Sequence, residues 1–262
     1  MGADTTKTDT GRTAGQELVH YQLTDGLATV TLDSQPNRNA LSQQLVTELF
    51  AALRAADKDD QVKVVVLQAV GRAFCAGADL SEAATVGMEE GARQLVALQR
   101  TIVALTKPVV VKVQGAARAG GLGLVAAADV AIAAEEVSFA LTEVRLGLAP
   151  AAISLTVLPR LGSRAAAYAM LTGETFSAAE AAQIGLITRA VPADRLDEET
   201  AAVVGALLKG SPQGLRETKR LLVRDLVQHI DAQGEEMAHL SARLFGSAAA
   251  RAAMQAFLSG RR

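Results

Sequence analysis

The sequence predicts an α/β architecture of parallel strands joined by crossover helices, followed by a helical C-terminal region. Three features predict it. Val62–Ala69 (VKVVVLQA) and Pro108–Val113 are short β-branched runs of the kind that fill central strands. Helical stretches alternate with these runs, which implies crossovers between parallel strands. After about Pro150 the pattern becomes mainly helical.

Val19–Leu23 and Leu27–Leu32 flank Thr24-Asp25-Gly26, a turn signal that predicts a hairpin. Ser42 is placed to cap a helix reaching about Ala56, with Leu45, Val46, Leu49 and Leu53 on one face. The strand Val62–Ala69 leads into a loop, GRAFCAGADL, and then a helix near Glu89–Leu105. Pro108–Val113 leads through Gly115 and Gly120-Gly121 into a small-residue helix over about Gly121–Ala128. Val130–Ala133 returns as a strand. Ser177 starts a further helix and Ile187–Val191 reads as a short strand. Ala193–Lys209, Pro212–Gln228, Asp231–Phe245 and Ala248–Leu258 read as successive helices. Residues 1–16 are polar and Thr-rich, a disordered tail; 17–200 form the α/β core and 201–262 the C-terminal helical region.

Composition narrows the function classes. The 262 residues carry 26 Lys+Arg against 28 Asp+Glu, a balance unlike that of a dedicated nucleic-acid binder. The single cysteine, Cys75, excludes an intramolecular disulfide and a cysteine-rich zinc site. The three histidines are scattered, with no His-x-x-x-His pair, so a protein-only metal centre is not expected. No run approaches the 18 or so apolar residues of a membrane span, and the first 16 residues lack the apolar core of a signal peptide. A cytoplasmic protein without membrane attachment is expected.

Two glycine loops, each following a central strand, are the candidate sites: Phe74-Cys75-Ala76-Gly77-Ala78-Asp79-Leu80 and Gln114–Gly123. Small residues let backbone approach a ligand, and two N–H groups aimed at one point make an oxyanion hole. Taken singly, each loop is equally a set of tight turns. Neither contains the G-x-G-x-x-G dinucleotide pattern, and the chain has no G-x-x-x-x-G-K-[ST] or G-x-S-x-G sequence. Cys75, beside Phe74 and Ala76, reads as a small buried filler rather than a nucleophile.

Several segments, in this order, resemble the enoyl-CoA hydratase/isomerase (crotonase) superfamily over about residues 17–260. They are Asn39-Ala40-Leu41, FCAGADL, KPVVVKVQG leading to AGGLGL, FALTEVRLGLAP, LPRLGSRAA and LTGETFSAAEAAQIGLI. The resemblance implies a crotonase-like spiral of ββα units, an acyl-CoA ligand, and a homotrimer or dimer of trimers with its C-terminal helices in the assembly and the CoA site. No cofactor is implied; CoA arrives as part of the substrate. It implies the backbone N–H groups of Ala78 and Gly120 as oxyanion donors, and Glu143 as the acid/base. On composition alone Glu143 would be a surface glutamate; its register in FALTEVRLGLAP favours function. Arg38, Asn39, Ala40, Ala76, Gly77, Asp79, Leu80, Gly121 and Phe257 fall in the segments that contact substrate or CoA. The family's lysine after that aromatic is out of register here, with Gly260 in its place and Arg261 next.

One position departs from the pattern. Typical hydratases carry a first glutamate three residues after the oxyanion glycine, where this chain has Gly123. Gly123 makes room either for a bulkier acyl group or for tight packing. Arg118, just before the oxyanion glycines, is placed to meet a substrate carboxylate or CoA phosphates, or to form a salt bridge to a neighbouring subunit, the structural reading favoured here. The resemblance favours an enoyl-CoA hydratase adding water to a 2-enoyl-CoA. A Δ3,Δ2-enoyl-CoA isomerase is the alternative, because one carboxylate suffices to move a proton between C2 and C4. A non-catalytic acyl-CoA binder is the reading from another class.

Overall fold

The first hairpin joins β1 (Val19–Thr24) to β2 (Leu27–Leu32) antiparallel, and its turn residues Asp25 and Gly26 both have positive φ (49° and 85°). The computed structural model describes residues 16–79, 82 and 88–258, the side chains of 257 and 258 excepted. Leu80 and Arg261 lie outside the described residues, as does the side chain of Phe257.

From β3 onward the chain repeats one motif: a long strand, a short strand, then a helix. The units are β3 (Val64–Ala69), β4 (Ala73–Cys75) and α2 (Met88–Ala104); β5 (Val109–Val113), β6 (Ala116–Arg118) and α3 (Gly120–Ala127); and β7 (Val130–Ala134), β8 (Ser138–Ala140) and α4 (Ala151–Val157). The hairpin with α1 (Gln43–Lys58) precedes them. Long strands pair in one sheet, where β2, β3, β5 and β7 run parallel. Short strands pair in a second, β4-β6-β8, also parallel, closed by antiparallel β9 (Thr175–Ser177). This is the expected spiral of ββα units, and the two sheets with the helices around them build one core.

The central strands are buried on both faces, which explains runs such as VVVL in place of alternation. Helix α1 is the amphipathic case: Leu45, Val46, Leu49 and Leu53 are buried, and Ser42 Oγ accepts from Leu45 N (3.3 Å). Helix α3 is buried all round, so it carries no polar face.

Past α5 (Ser163–Thr172), α6 (Ala178–Gln183), β10 (Arg189–Val191) and α7 (Leu196–Leu208), one helix, α8, spans Pro212–Phe245. The two helices expected over this stretch are therefore one. No glycine or proline stands near residues 228–231 to break it, and Gly234 lies inside it because a Cβ there would come within 2.8 Å of Val96 on α2. Helices α2 and α8 run antiparallel, tied by Arg93 to Glu235 and Arg100 to Asp231. A buried ion pair pins α8 to the sheet: Lys219 Nζ, 4% exposed, lies 2.8 Å from Asp129 and donates to Ile102 O and Lys107 O. Helix α9 (Ala248–Leu258) ends the described chain. Among the described residues no helix is long and apolar enough to cross a membrane.

Candidate active site

The three expected catalytic positions follow the same ends of three neighbouring parallel strands. Cys75 on β4, Ala117 on β6 and Phe139 on β8 are aligned partners. Ala78 and Gly120 lie three residues beyond that line, and Glu143 four beyond it. Ligands in open parallel sheets collect at this carboxyl edge.

The two glycine loops touch. A Cβ added at Gly77 would lie 2.9 Å from Ala119 Cβ and 3.5 Å from Gly120 N. Gly77 also has φ +96°, so this position demands glycine on both counts. The Gly77 carbonyl accepts from Leu41 N (2.8 Å). Across the trans peptide the Ala78 N–H therefore points the opposite way. Neither Ala78 N nor Gly120 N, the first residue of α3, donates to a protein acceptor among the described residues. Two orphan donors thus stand on loops in contact.

Backbone strain gathers around these donors. Arg38, Asn39 and Ala119 all adopt positive φ (59°, 55° and 45°) without being glycine. Asn39 explains how its segment is held. The side chain is 1% exposed, its Oδ1 accepts from Ser34 N, and its Nδ2 donates to the Val70 and Ala73 carbonyls. Asn39 therefore has no free side-chain group for a ligand; it positions Ala40, Leu41 and the strand leading to Cys75. The Arg38 carbonyl accepts from Ala76 N (3.1 Å), while the Arg38 side chain is exposed.

Glu143 begins a 3-10 turn, Glu143–Leu146, whose Leu148 N–H donates back to the Glu143 carbonyl (3.0 Å). Its Oε2 is shut off from solvent and has no hydrogen-bond partner. Desolvation pushes the carboxyl up to about 7, against a usual 4.5. A carboxyl at this value exchanges protons readily near neutral pH.

A cavity of about 120 Å³ lies beside Ala78, lined by Leu41, Leu95 and Ala152, with Ser241 and Phe245 of α8 on its wall; neither Gly120 nor Glu143 lines it. Asp79 also borders it and accepts from Asn37 Nδ2 (3.0 Å).

Gly123 is a packing glycine. A Cβ there would come within 2.9 Å of both Gln99 Oε1 and Ile153 Cγ2. Gln99 is 0% exposed; its Oε1 accepts from Thr156 Oγ1, and its Nε2 donates to the Leu95 and Ala152 carbonyls. The space expected for a larger acyl group is therefore filled by a satisfied polar cluster. Sequence reasoning missed Gln99; its place between Val96, Leu98 and Ile102 on the buried face of α2 was the available signal. Gly121 is likewise a close-approach residue, since its Cβ would meet the Cys75 carbonyl at 2.6 Å.

Arg118 donates to the Ala117 and Ser138 carbonyls and to Ser138 Oγ (2.7 Å for the hydroxyl). Among the described residues it meets no carboxylate. Cys75 is buried and its thiol is pushed up to about 12, as suits a core filler. Glu89, Glu235 and His239 bring possible metal-ligand atoms within 4.8 Å of one another, but Arg93 already donates to both carboxylates.

A spiral of ββα units, with a second sheet whose carboxyl edge carries the two loops, defines the crotonase fold. The chain belongs to the enoyl-CoA hydratase/isomerase family, whose model matches residues 22–262, and it is an enzyme of that family. A solved enoyl-CoA hydratase from Mycobacterium avium is 47% identical, with a TM-score of 0.88 over 94% of this chain and 98% of that one. A Rhodobacter capsulatus protein, "Probable enoyl-CoA hydratase", is 35% identical, covering 93% of this chain and 95% of its own. The hydroxycinnamoyl-CoA hydratase-lyase of Pseudomonas fluorescens is 32% identical, over 78% and 77%.

Proposed function

We propose that the protein hydrates a 2-enoyl-CoA thioester through an enolate held by the Ala78 and Gly120 N–H groups, with Glu143 carrying the proton. The observation that carries this reading is the Glu143 carboxyl, its buried Oε2 without a partner and its pKa raised to about 7, beyond the same strand ends as the two orphan amides.

In the proposed step the Glu143 carboxylate takes a proton from water as the water oxygen bonds to C3. The C2–C3 π pair moves toward the thioester, and negative charge collects on its carbonyl oxygen. Fixed N–H donors stabilise that charge without solvent reorganisation, and one such donor contributes about 3–4 kcal/mol. Glu143 then returns its proton to C2, completing the addition of one water. The proton balance closes without a metal or redox cofactor.

Gly123 favours a second reading, Δ3,Δ2 isomerisation, because Gln99 and Ile153 stand where a second carboxylate would begin. Glu143 would then take a proton from one end of a 3-enoyl thioester and deliver it to the other. Purified protein supplied separately with crotonyl-CoA and 3-hexenoyl-CoA distinguishes the two. Hydration of crotonyl-CoA is expected; isomerisation alone overturns the first reading, and no turnover of either overturns both. Assembly into trimers is part of the proposal, supported by exposed Tyr168, Leu171, Leu221 and Leu222, and light scattering measures it directly.

A further inference from the structure

Ser241 lies in the second half of α8, 8% exposed, and lines the cavity beside Ala78. A buried serine in a helix ordinarily returns its hydroxyl to the carbonyl four residues back, as Thr47, Thr101 and Thr200 do in this protein. Among the described residues Ser241 Oγ has no hydrogen-bond partner. It shares the cavity wall with the apolar Leu41, Val46, Leu95, Ala152 and Phe245 and with the polar Gln43, Asp79, Glu82 and Gln94. An unpaired hydroxyl facing such a wall loses its water when an apolar chain fills the space, and gains a partner when the chain brings an oxygen.

We infer that Ser241 reads an oxygen substituent on the acyl chain. The preferred ligands are then acyl-CoA thioesters with a hydroxyl or carbonyl on the chain beyond the reacting carbons. This rests on the acyl-CoA reading above, which places the thioester at Ala78. The cavity, about 120 Å³, is comparable with the roughly 150 Å³ apolar cavity known to hold benzene. A chain of about six carbons, or one ring, fits that volume.

Binding of unreactive saturated thioesters tests this without relying on turnover. Hexanoyl-CoA and its 5-hydroxy and 6-hydroxy counterparts are titrated calorimetrically against wild type, Ser241→Ala and Ser241→Thr. Alanine suits a helix interior, and threonine keeps the hydroxyl. In wild type at least one hydroxylated chain is expected to bind about tenfold tighter than hexanoyl-CoA, about 1.4 kcal/mol. Ser241→Ala is expected to erase that ratio and Ser241→Thr to retain it. Equal affinities in wild type, or a preference that survives in Ser241→Ala, overturn the role of Ser241. Hexanoyl-CoA binding with no hydroxyl preference leaves the acyl-CoA reading standing, whereas binding of none of the three overturns both.

Discussion

Gln99 Oε1, on α2, stands 2.9 Å from where a Cβ at Gly123 would lie in the wholly buried α3. A position that looks from sequence like a vacated catalytic carboxylate is thus a packed contact between α2 and α3. Gly123→Ala is expected to lose about 0–2 kcal/mol: overpacking costs about 1–3, and alanine's better helix propensity returns about 1. Thermal unfolding measures it. Removing the obstruction with Gln99→Ala in the same chain should make the two changes markedly non-additive. Gly123→Glu, which would restore the family's usual carboxylate, is expected to destabilise further rather than to raise hydration.

Glu143 makes a second prediction, about stability. Its carboxyl titrates near 4.5 unfolded and near 7 folded, so the folded state binds this proton more tightly. The favourable contribution is complete below 4.5 and is lost as pH rises through about 7. Denaturant titration should show Glu143→Gln gaining stability over wild type above that pH, by on the order of 3 kcal/mol at most. At pH 4 the two should be alike to within the cost of the amide itself.

Lys219 and Asp129 form a buried pair whose halves cannot be removed singly without cost. Desolvation lowers the lysine pKa while Asp129 supports its charge. Lys219→Met should therefore cost up to about 3 kcal/mol, because Asp129 loses its ammonium partner and keeps, among the described residues, only the Val109 N–H and the nearby Arg160. Chemical denaturation in low and high salt checks this; a salt-dependent loss under 1 kcal/mol would describe a surface pair instead.

The Cys75 thiol, buried and raised to about 12, should resist alkylation by iodoacetamide at pH 8 in the native protein and react after denaturation. Stoichiometric native labelling would show that the strand end beneath Gly121 opens.

The long strands and amphipathic α1 were legible because burial on one or two faces leaves a periodic trace in residues such as Val64–Leu67 and Leu45–Leu53. The short strands were not. Ala73–Cys75, Ala116–Arg118 and Ser138–Ala140 are three residues each, too few to show alternation, and the first was read as loop. Yet these strands align Ala78, Gly120 and Glu143, so the element that organises the site was the least visible locally. The site residues themselves were legible only through motif order across the chain. Ser241 and Gln99 carry no motif; each becomes informative only once burial and hydrogen bonding are known.

The proposed chemistry turns on Glu143, and the most direct measurement is kcat/KM for crotonyl-CoA against pH in wild type and Glu143→Gln. The prediction is a wild-type rate constant that rises with pH and levels off above about 7, and a loss of about 10²–10⁴-fold in Glu143→Gln with that inflection gone. A Glu143→Gln enzyme as fast as wild type, with the same pH profile, would contradict it.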